Sequence, residues 1–163
     1  MERVNLIIEH PLFVEQLKKV KEFEKNRIFC GHDMTHFLDV ARIGYILALE
    51  ERYAMPFGYD LKEIFYAAAM LHDIGRAGQY EDGTAHEVES TRLSETILPD
   101  CGFSSGESEL ILDAILSHRT KSENKRDGIS EYLYRADKLS RNCIDCLGIE
   151  QCDWKLKNYS LKY

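Results

Sequence analysis

Residues 67–76, AAAMLHDIGR, decide the fold: an apolar run that starts at Ile64 continues to Leu71 and ends on a histidine and an aspartate side by side, His72 and Asp73. Residues 64–71 are apolar nearly all round, which marks a central helix covered by its neighbours. The run is far too short to cross a bilayer, which takes about 20 residues. Asp73 follows His72 at the helix end, where a terminal turn can aim neighbouring side chains at one point.

Outward from this segment, long stretches show helical apolar spacing, prolines number only three, and period-two alternation is almost absent, so the fold reads as all-α. About six helices are expected, over 12–29, 34–53, 60–73, 85–98, 105–119 and 128–147. Breaks fall at 53–60, 75–83 and 99–106 and in the polar run 121–128, KSENKRDG, which reads as a solvated loop. In the first helix Phe13, Leu17, Val20 and Phe23 fall at core spacing, and that helix is assigned to packing. The 163 residues suit a single domain with a core over about 32–141 and a cysteine-containing tail over 142–163.

Each of the other helices carries a polar group on its apolar stripe. His36 shares a face with Val40, Ile43 and Leu47; His72 follows Ala68 and Ile64; His86 lines up with Ser90, Leu93 and Ile97; His118 with Ile111, Ala114 and Ile115; Asp137 with Ile129, Leu133 and Ala136. A single histidine so placed is more often a hydrogen-bonded core residue than a ligand. Five helices doing so together is another matter, because a buried carboxylate without a partner is costly and no obvious buried Lys or Arg accompanies each one. A divalent cation resolves the conflict by turning imidazoles and carboxylates into ligands. The nitrogen and oxygen donors, with no cysteine among them, suit Fe, Mn, Co, Ni or Zn better than a closed thiolate site does.

These residues resemble the HD-domain metal-dependent phosphohydrolases. The pattern of that family is a lone His, the His-Asp doublet and a distant Asp on helices of one bundle. Here the first His lies in GHDMTHFLDVARIG at 31–44, the doublet in AAAMLHDIGR at 67–76 and the last Asp in EYLYRADKLSR at 131–141. The resemblance implies a single-domain HD-type helical bundle in which His36, His72, Asp73 and Asp137 hold a metal. Branches with two further histidines hold two metals bridged by the doublet Asp. His86 in TAHEVES and His118 in ILSHRTK occupy that place in the order, so one or two divalent ions are expected. A structural role for His86 at a helix start stays open.

The resemblance further implies cleavage of a phosphate ester or anhydride, in a small phosphorylated substrate such as a nucleotide, by metal-activated water. No P-loop, nucleophile elbow or Rossmann glycine pattern suggests another route. Asp73, Arg76 and Lys138 are the candidate catalytic residues. Arg76, Arg119 and Lys138 are candidates for phosphate contacts, against the alternative of surface cations. His32 is placed beside the site on the substrate side, with Asp33 capping the helix. Two alternatives remain: a nucleotide-sensing protein with a structural metal site, and a di-iron oxygenase of HD type.

The balance of 21 basic and 28 acidic residues, net charge -7, argues against duplex nucleic acid or an anionic membrane as partner. A small anionic substrate then needs locally placed cations. Residues 1–10 are acidic and lack an apolar core, so no secretory signal is read there and a cytoplasmic location is expected. A homodimer is compatible with the sequence. Five cysteines do not make a disulfide framework. Cys143, Cys146 and Cys152 form C-x2-C-x5-C, one ligand short of a zinc site unless Cys30 or Cys101 is brought near, and free thiols are the simpler reading.

Overall fold

Asp60 starts the central helix by accepting a hydrogen bond from the Glu63 amide at 3.0 Å, and Ile64, Phe65, Ala67, Ala68, Ala69, Met70 and Leu71 are all buried along it. In the computed structural model, which describes residues 1–119, 128–155, 157–159 and 163, this is one of eight α-helices among the described residues. They are α1 (Glu2–Glu9), α2 (Pro11–Phe23), α3 (Met34–Glu50), α4 (Leu61–Leu71), α5 (Arg76–Glu81), α6 (His86–Asp100), α7 (Ser105–Ser117) and α8 (Ile129–Leu139). No strand occurs among the described residues, and no helix among them is long and apolar enough to cross a membrane.

The all-α reading holds, with differences at the ends. The expected first helix, 12–29, is α2 and stops at Phe23, and an unexpected helix, α1, precedes it. The two are separated at His10, which precedes Pro11 and takes an extended conformation, φ -64° and ψ 132°. Phe23 is 49% exposed, not core, and its ring lies against Tyr80 with centroids 5.5 Å apart. The expected break at 75–83 contains the short helix α5. The last helix stops at Leu139, not 147; the Asn158 amide donates to the carbonyls of Leu139 and Arg141 at 2.7 and 3.0 Å, satisfying groups that a continuing helix would have used. Residues 121–127 of the expected solvated loop lie outside the described residues.

The central helix α4 packs against α1, α3, α6, α7 and α8, and α3 also packs on α8. Small residues set these approaches. A Cβ added to Gly44 would stand 2.1 Å from Phe65 Cζ, so the α3–α4 contact uses the space that a side chain would take. Gly75 plays the same part after the doublet: a Cβ there would fall 2.3 Å from the Ser90 amide nitrogen and 2.6 Å from the His86 carbonyl. Its φ of -77° is open to any residue, so the requirement is space for the first turn of α6. The Gly75 N–H donates to Ser90 Oγ at 2.9 Å and locks that approach.

Arg3 closes the opposite end. It donates from Nε to Glu63 at 2.9 Å and from Nη1 and Nη2 to the two oxygens of Glu107, each at 2.9 Å. Glu107 also completes a capping box with Ser104 at the start of α7.

Gly75→Ala is expected to lower the unfolding free energy by about 1–3 kcal/mol through overpacking, with Tm falling about 2–4 °C per kcal/mol. Gly78→Ala in α5 meets only the Glu89 side chain, 3.2 Å away at Cγ, and is expected not to lower it. Thermal unfolding followed by circular dichroism checks the pair, and equal midpoints would contradict this packing account.

Candidate metal centre

His72 and His118 occupy the same position on two helices, the residue that caps the C-terminus of α4 and of α7. Each donates its Nδ1–H to a carbonyl three residues back, His72 to Ala69 at 2.7 Å and His118 to Ile115 at 2.6 Å. The bond satisfies a carbonyl left over at the helix end, and it assigns the tautomer, leaving the Nε2 lone pair to point inward. His86, at the first position of α6, turns Nδ1 to Gln79 Oε1 at 2.8 Å. His36, in the first turn of α3, turns Nδ1 to Ser140 Oγ at 3.2 Å; that hydroxyl donates to the Asp137 carbonyl at 3.0 Å and so accepts from the imidazole. Asp33 caps α3 through the amides of Thr35 and His36 at 2.9 and 3.1 Å, as expected.

The four Nε2 atoms surround Asp73, whose side chain is 1% exposed. Oδ2 faces His72 at 3.4 Å and His36 at 3.6 Å, and His36 Nε2 is in turn 3.7 Å from Asp137 Oδ1. Oδ1 faces His86 at 3.1 Å and His118 at 3.9 Å. Two donor sets result, His36–His72–Asp73–Asp137 and Asp73–His86–His118, each with ligand atoms within 4.8 Å of one another. The Nε2 atoms of His36, His72 and His86 and both oxygens of Asp73 are buried without a hydrogen-bond partner among the described residues. Orphaned polar atoms at this density are costly. With metal–ligand bonds of about 2.0–2.2 Å, two ligands of one ion stand about 3–3.5 Å apart, close to the observed separations, so these residues fit a divalent ion.

The electrostatics agree. Burial pushes the Asp73 carboxyl up, but Arg76, His72 and His36 together hold it well below the usual carboxylate range. Asp137 behaves alike: burial and the Asp73 charge raise it, and Lys138 and His72 bring it down to a net lowering. Both acids are therefore carboxylates at neutral pH. Burial, reinforced by the charge of His72, lowers His118 to about 4 and keeps that imidazole neutral. At His72 burial acts downward, but Asp73 outweighs it and the net shift is upward; a cation held at Nε2 would take the place of that proton.

The centre opens into a cavity of about 410 Å³. The candidate phosphate-contact residues all line it. Arg76 reaches Asp73 Oδ2 with Nε at 3.0 Å, Lys138 pairs with Asp137, and Arg119 lies 3.4 Å from His86 Nδ1. His32 is held by Glu24, which accepts from its backbone N–H at 2.8 Å and from Nδ1 at 2.5 Å, and its Nε2 faces Asp73 Oδ2 at 3.8 Å.

Several residues escaped the sequence reading. Glu24 lies just past α2, the helix assigned to packing; burial raises its pKa, yet His32 and Tyr80 bring it down to about 2. Its spacing after Val20, on the buried face of that helix, was the available signal. Ser140 and Gln79, which orient His36 and His86, carry no sequence signature. Arg27 and Arg141 also line the cavity, with Tyr134 and Trp154 beside them. The guanidinium of Arg141 stacks over Trp154 at 4.0 Å. The lone tryptophan near the chain's end was the readable hint.

Comparison with known proteins accords with this geometry. A protein from Clostridium beijerinckii described as uncharacterized is 44% identical over 165 residues, with both chains covered in full. Ribonuclease Y 1 of Levilactobacillus brevis is 25% identical over 154 residues, covering 86% of this chain and 28% of its own length. A crystal structure of a predicted HD superfamily hydrolase from an uncultured Thermotogales bacterium matches with a TM-score of 0.57 and 25% identity, covering 85% of this chain and 66% of that one. The HD domain family model matches residues 33–142, from the cap of α3 to just beyond Asp137, and the chain belongs to the HD-domain superfamily.

Proposed function

We propose that the chain is a metal-dependent phosphohydrolase that cleaves a phosphate ester or anhydride in a small phosphorylated substrate, with a nucleotide as the favoured class. The observation that carries this reading is the position of Asp73, whose two oxygens face two separate sets of inward nitrogen lone pairs behind a cation-bearing cavity that His36, His118 and Asp137 line. His36, His72, Asp73 and Asp137 would hold one ion, and Asp73, His86 and His118 a second. Fe, Mn, Co, Ni and Zn all suit this donor set. Bound there, divalent ions supply Lewis acidity toward water and toward phosphate oxygens.

The side chains account for the remaining steps. Arg76, Arg119 and Lys138 bind the phosphate oxygens and hold the phosphorus over the centre. A water oxygen attacks phosphorus as the bond to the leaving oxygen breaks. One proton of that water passes to Nε2 of His32, which burial keeps neutral at physiological pH, and the leaving oxygen takes a proton from solvent. Arg141, stacked on Trp154, and Tyr134 line the same cavity and offer a guanidinium and aromatic rings suited to the rest of a nucleotide. Support also comes from the relatives: one bears the name of a ribonuclease, an enzyme of phosphodiester bonds, and another that of a hydrolase.

Asp73→Ala is expected to lose bound metal and at least about 100-fold in turnover of a nucleotide panel assayed in Mn, Co, Ni and Mg, since it removes the residue shared by both donor sets. Turnover that persists in the chelated, metal-free protein would overturn the proposal, and turnover that requires dioxygen would favour the oxygenase alternative. Arg119→Ala and Arg141→Ala are each expected to raise KM about 10-fold or more with kcat little changed, as loss of a charge-assisted contact common to ground and transition states does. An unchanged KM in both variants would remove them from the substrate site.

A further inference from the structure

One buried acid has no part in the metal centre or in the phosphate contacts. Glu24 caps the C-terminus of α2, where a carboxylate opposes the helix dipole, yet its side chain is only 9% exposed. Three donors take up its two oxygens. Oε2 accepts from the His32 backbone N–H at 2.8 Å; Oε1 accepts from His32 Nδ1 at 2.5 Å and from the Tyr80 hydroxyl at 2.6 Å. Burial pushes the Glu24 carboxyl up, but the bonds from His32 and Tyr80 bring it down to about 2, so at neutral pH both oxygens only accept. Nδ1 of His32 therefore carries the ring proton, and Nε2 keeps its lone pair. That nitrogen faces Asp73 Oδ2 at 3.8 Å, and His32 lines the cavity.

Tyr80 ties this pair to the phosphate side of the site. It stands four residues after Arg76 in α5, on the same face of that helix, and Arg76 Nε reaches Asp73 Oδ2 at 3.0 Å. The contacts close a circuit that runs from Asp73 to Arg76, along α5 to Tyr80, on to Glu24 and His32, and back to Asp73. Phe23, exposed at the end of α2, packs its ring on that of Tyr80 and supports the link from outside.

We propose that Glu24, with Tyr80, is a positioning residue for the hydrolysis: it fixes His32 in the tautomer whose Nε2 lone pair faces the centre and holds that ring in step with Arg76. The inference rests on the proposed role of His32 Nε2 as acceptor of a proton from the attacking water. An amide cannot replace the carboxylate here. Of the three donors, the backbone N–H alone cannot reverse its role, whereas a hydroxyl and an imidazole nitrogen can each accept instead. In Glu24→Gln the amide oxygen therefore turns to the His32 backbone and the NH2 group to Nδ1, which moves the ring proton to Nε2 and removes the acceptor. A side chain that merely tied the loop before α3 to α2 would tolerate the amide.

The test combines a mutant cycle with a tautomer measurement. With the nucleotide of the panel that is turned over fastest in Mn, Glu24→Gln is expected to lower kcat about 10- to 100-fold, within the range of acid–base assistance, with KM and metal content little changed. Tyr80→Phe is expected to lower kcat about 3- to 10-fold. In a His32→Ala background neither substitution is expected to lower it further, because both act through that ring. Losses that multiply instead overturn the proposal. His32→Ala with full turnover would overturn the proton step and this inference with it, whereas a His32→Ala loss beside an unaffected Glu24→Gln overturns this inference alone. The tautomer is read without substrate, from 15N–1H NMR of the labelled chain loaded with Zn, in which the ring absent from His32→Ala identifies His32. The Nδ1–H form is expected in the unaltered chain and the Nε2–H form in Glu24→Gln; Nε2–H in the unaltered chain, or no change between the two, overturns the proposal.

Discussion

The buried carboxylate of Asp73 constrains everything around it. A negative charge with 1% of its side chain exposed needs compensation from every direction, and the chain supplies Arg76 on one side and four imidazole nitrogens on the others. Those imidazoles come from α3, from α6 and from the ends of α4 and α7, so the packing of four helices is tied to one side chain. The glycines serve this convergence. Without the space at Gly75, the start of α6 would stand away from the doublet and carry His86 with it; without the space at Gly44, α3 and its histidine would stand off from α4.

The backbone orients the imidazoles as well. At the ends of α4 and α7 the same carbonyls that a terminating helix leaves unpaired are the ones that fix the histidine tautomers. Helix termination and the inward turn of Nε2 are there one event, and it places His72 and His118 at caps and not in mid-helix. His36 and His86 are oriented by side chains instead, Ser140 and Gln79, contributed by other elements. The cationic cavity above the centre is a local feature of a chain whose net charge is -7, with arginines gathered from segments as far apart as Arg27 and Arg141.

Much of this was legible in the sequence because helical periodicity reports burial. The inward faces of His36, His72, His86, His118 and Asp137 could be read from apolar neighbours three and four residues away, and the doublet's place at a helix end from the length of the apolar run before it. Periodicity is blind where the chain stops being periodic. It did not find α5, whose six residues are too few to show a stripe, or the end of α8 at Leu139, which is set by Asn158 from far along the chain. Nor could it place Glu24 beneath His32, or Gly148 against Ile28 and Phe29, since those pairings depend on how irregular segments fold back on the bundle.

The central claim is that the inward nitrogens and Asp73 converge on divalent cations. Anomalous diffraction from crystals grown with Mn tests it most directly. The account predicts an anomalous peak among His36, His72, Asp73 and Asp137 and a second among Asp73, His86 and His118. Crystals saturated with the metal in which no peak touches Asp73, or in which the four imidazoles turn their Nε2 atoms away from it, would contradict the account.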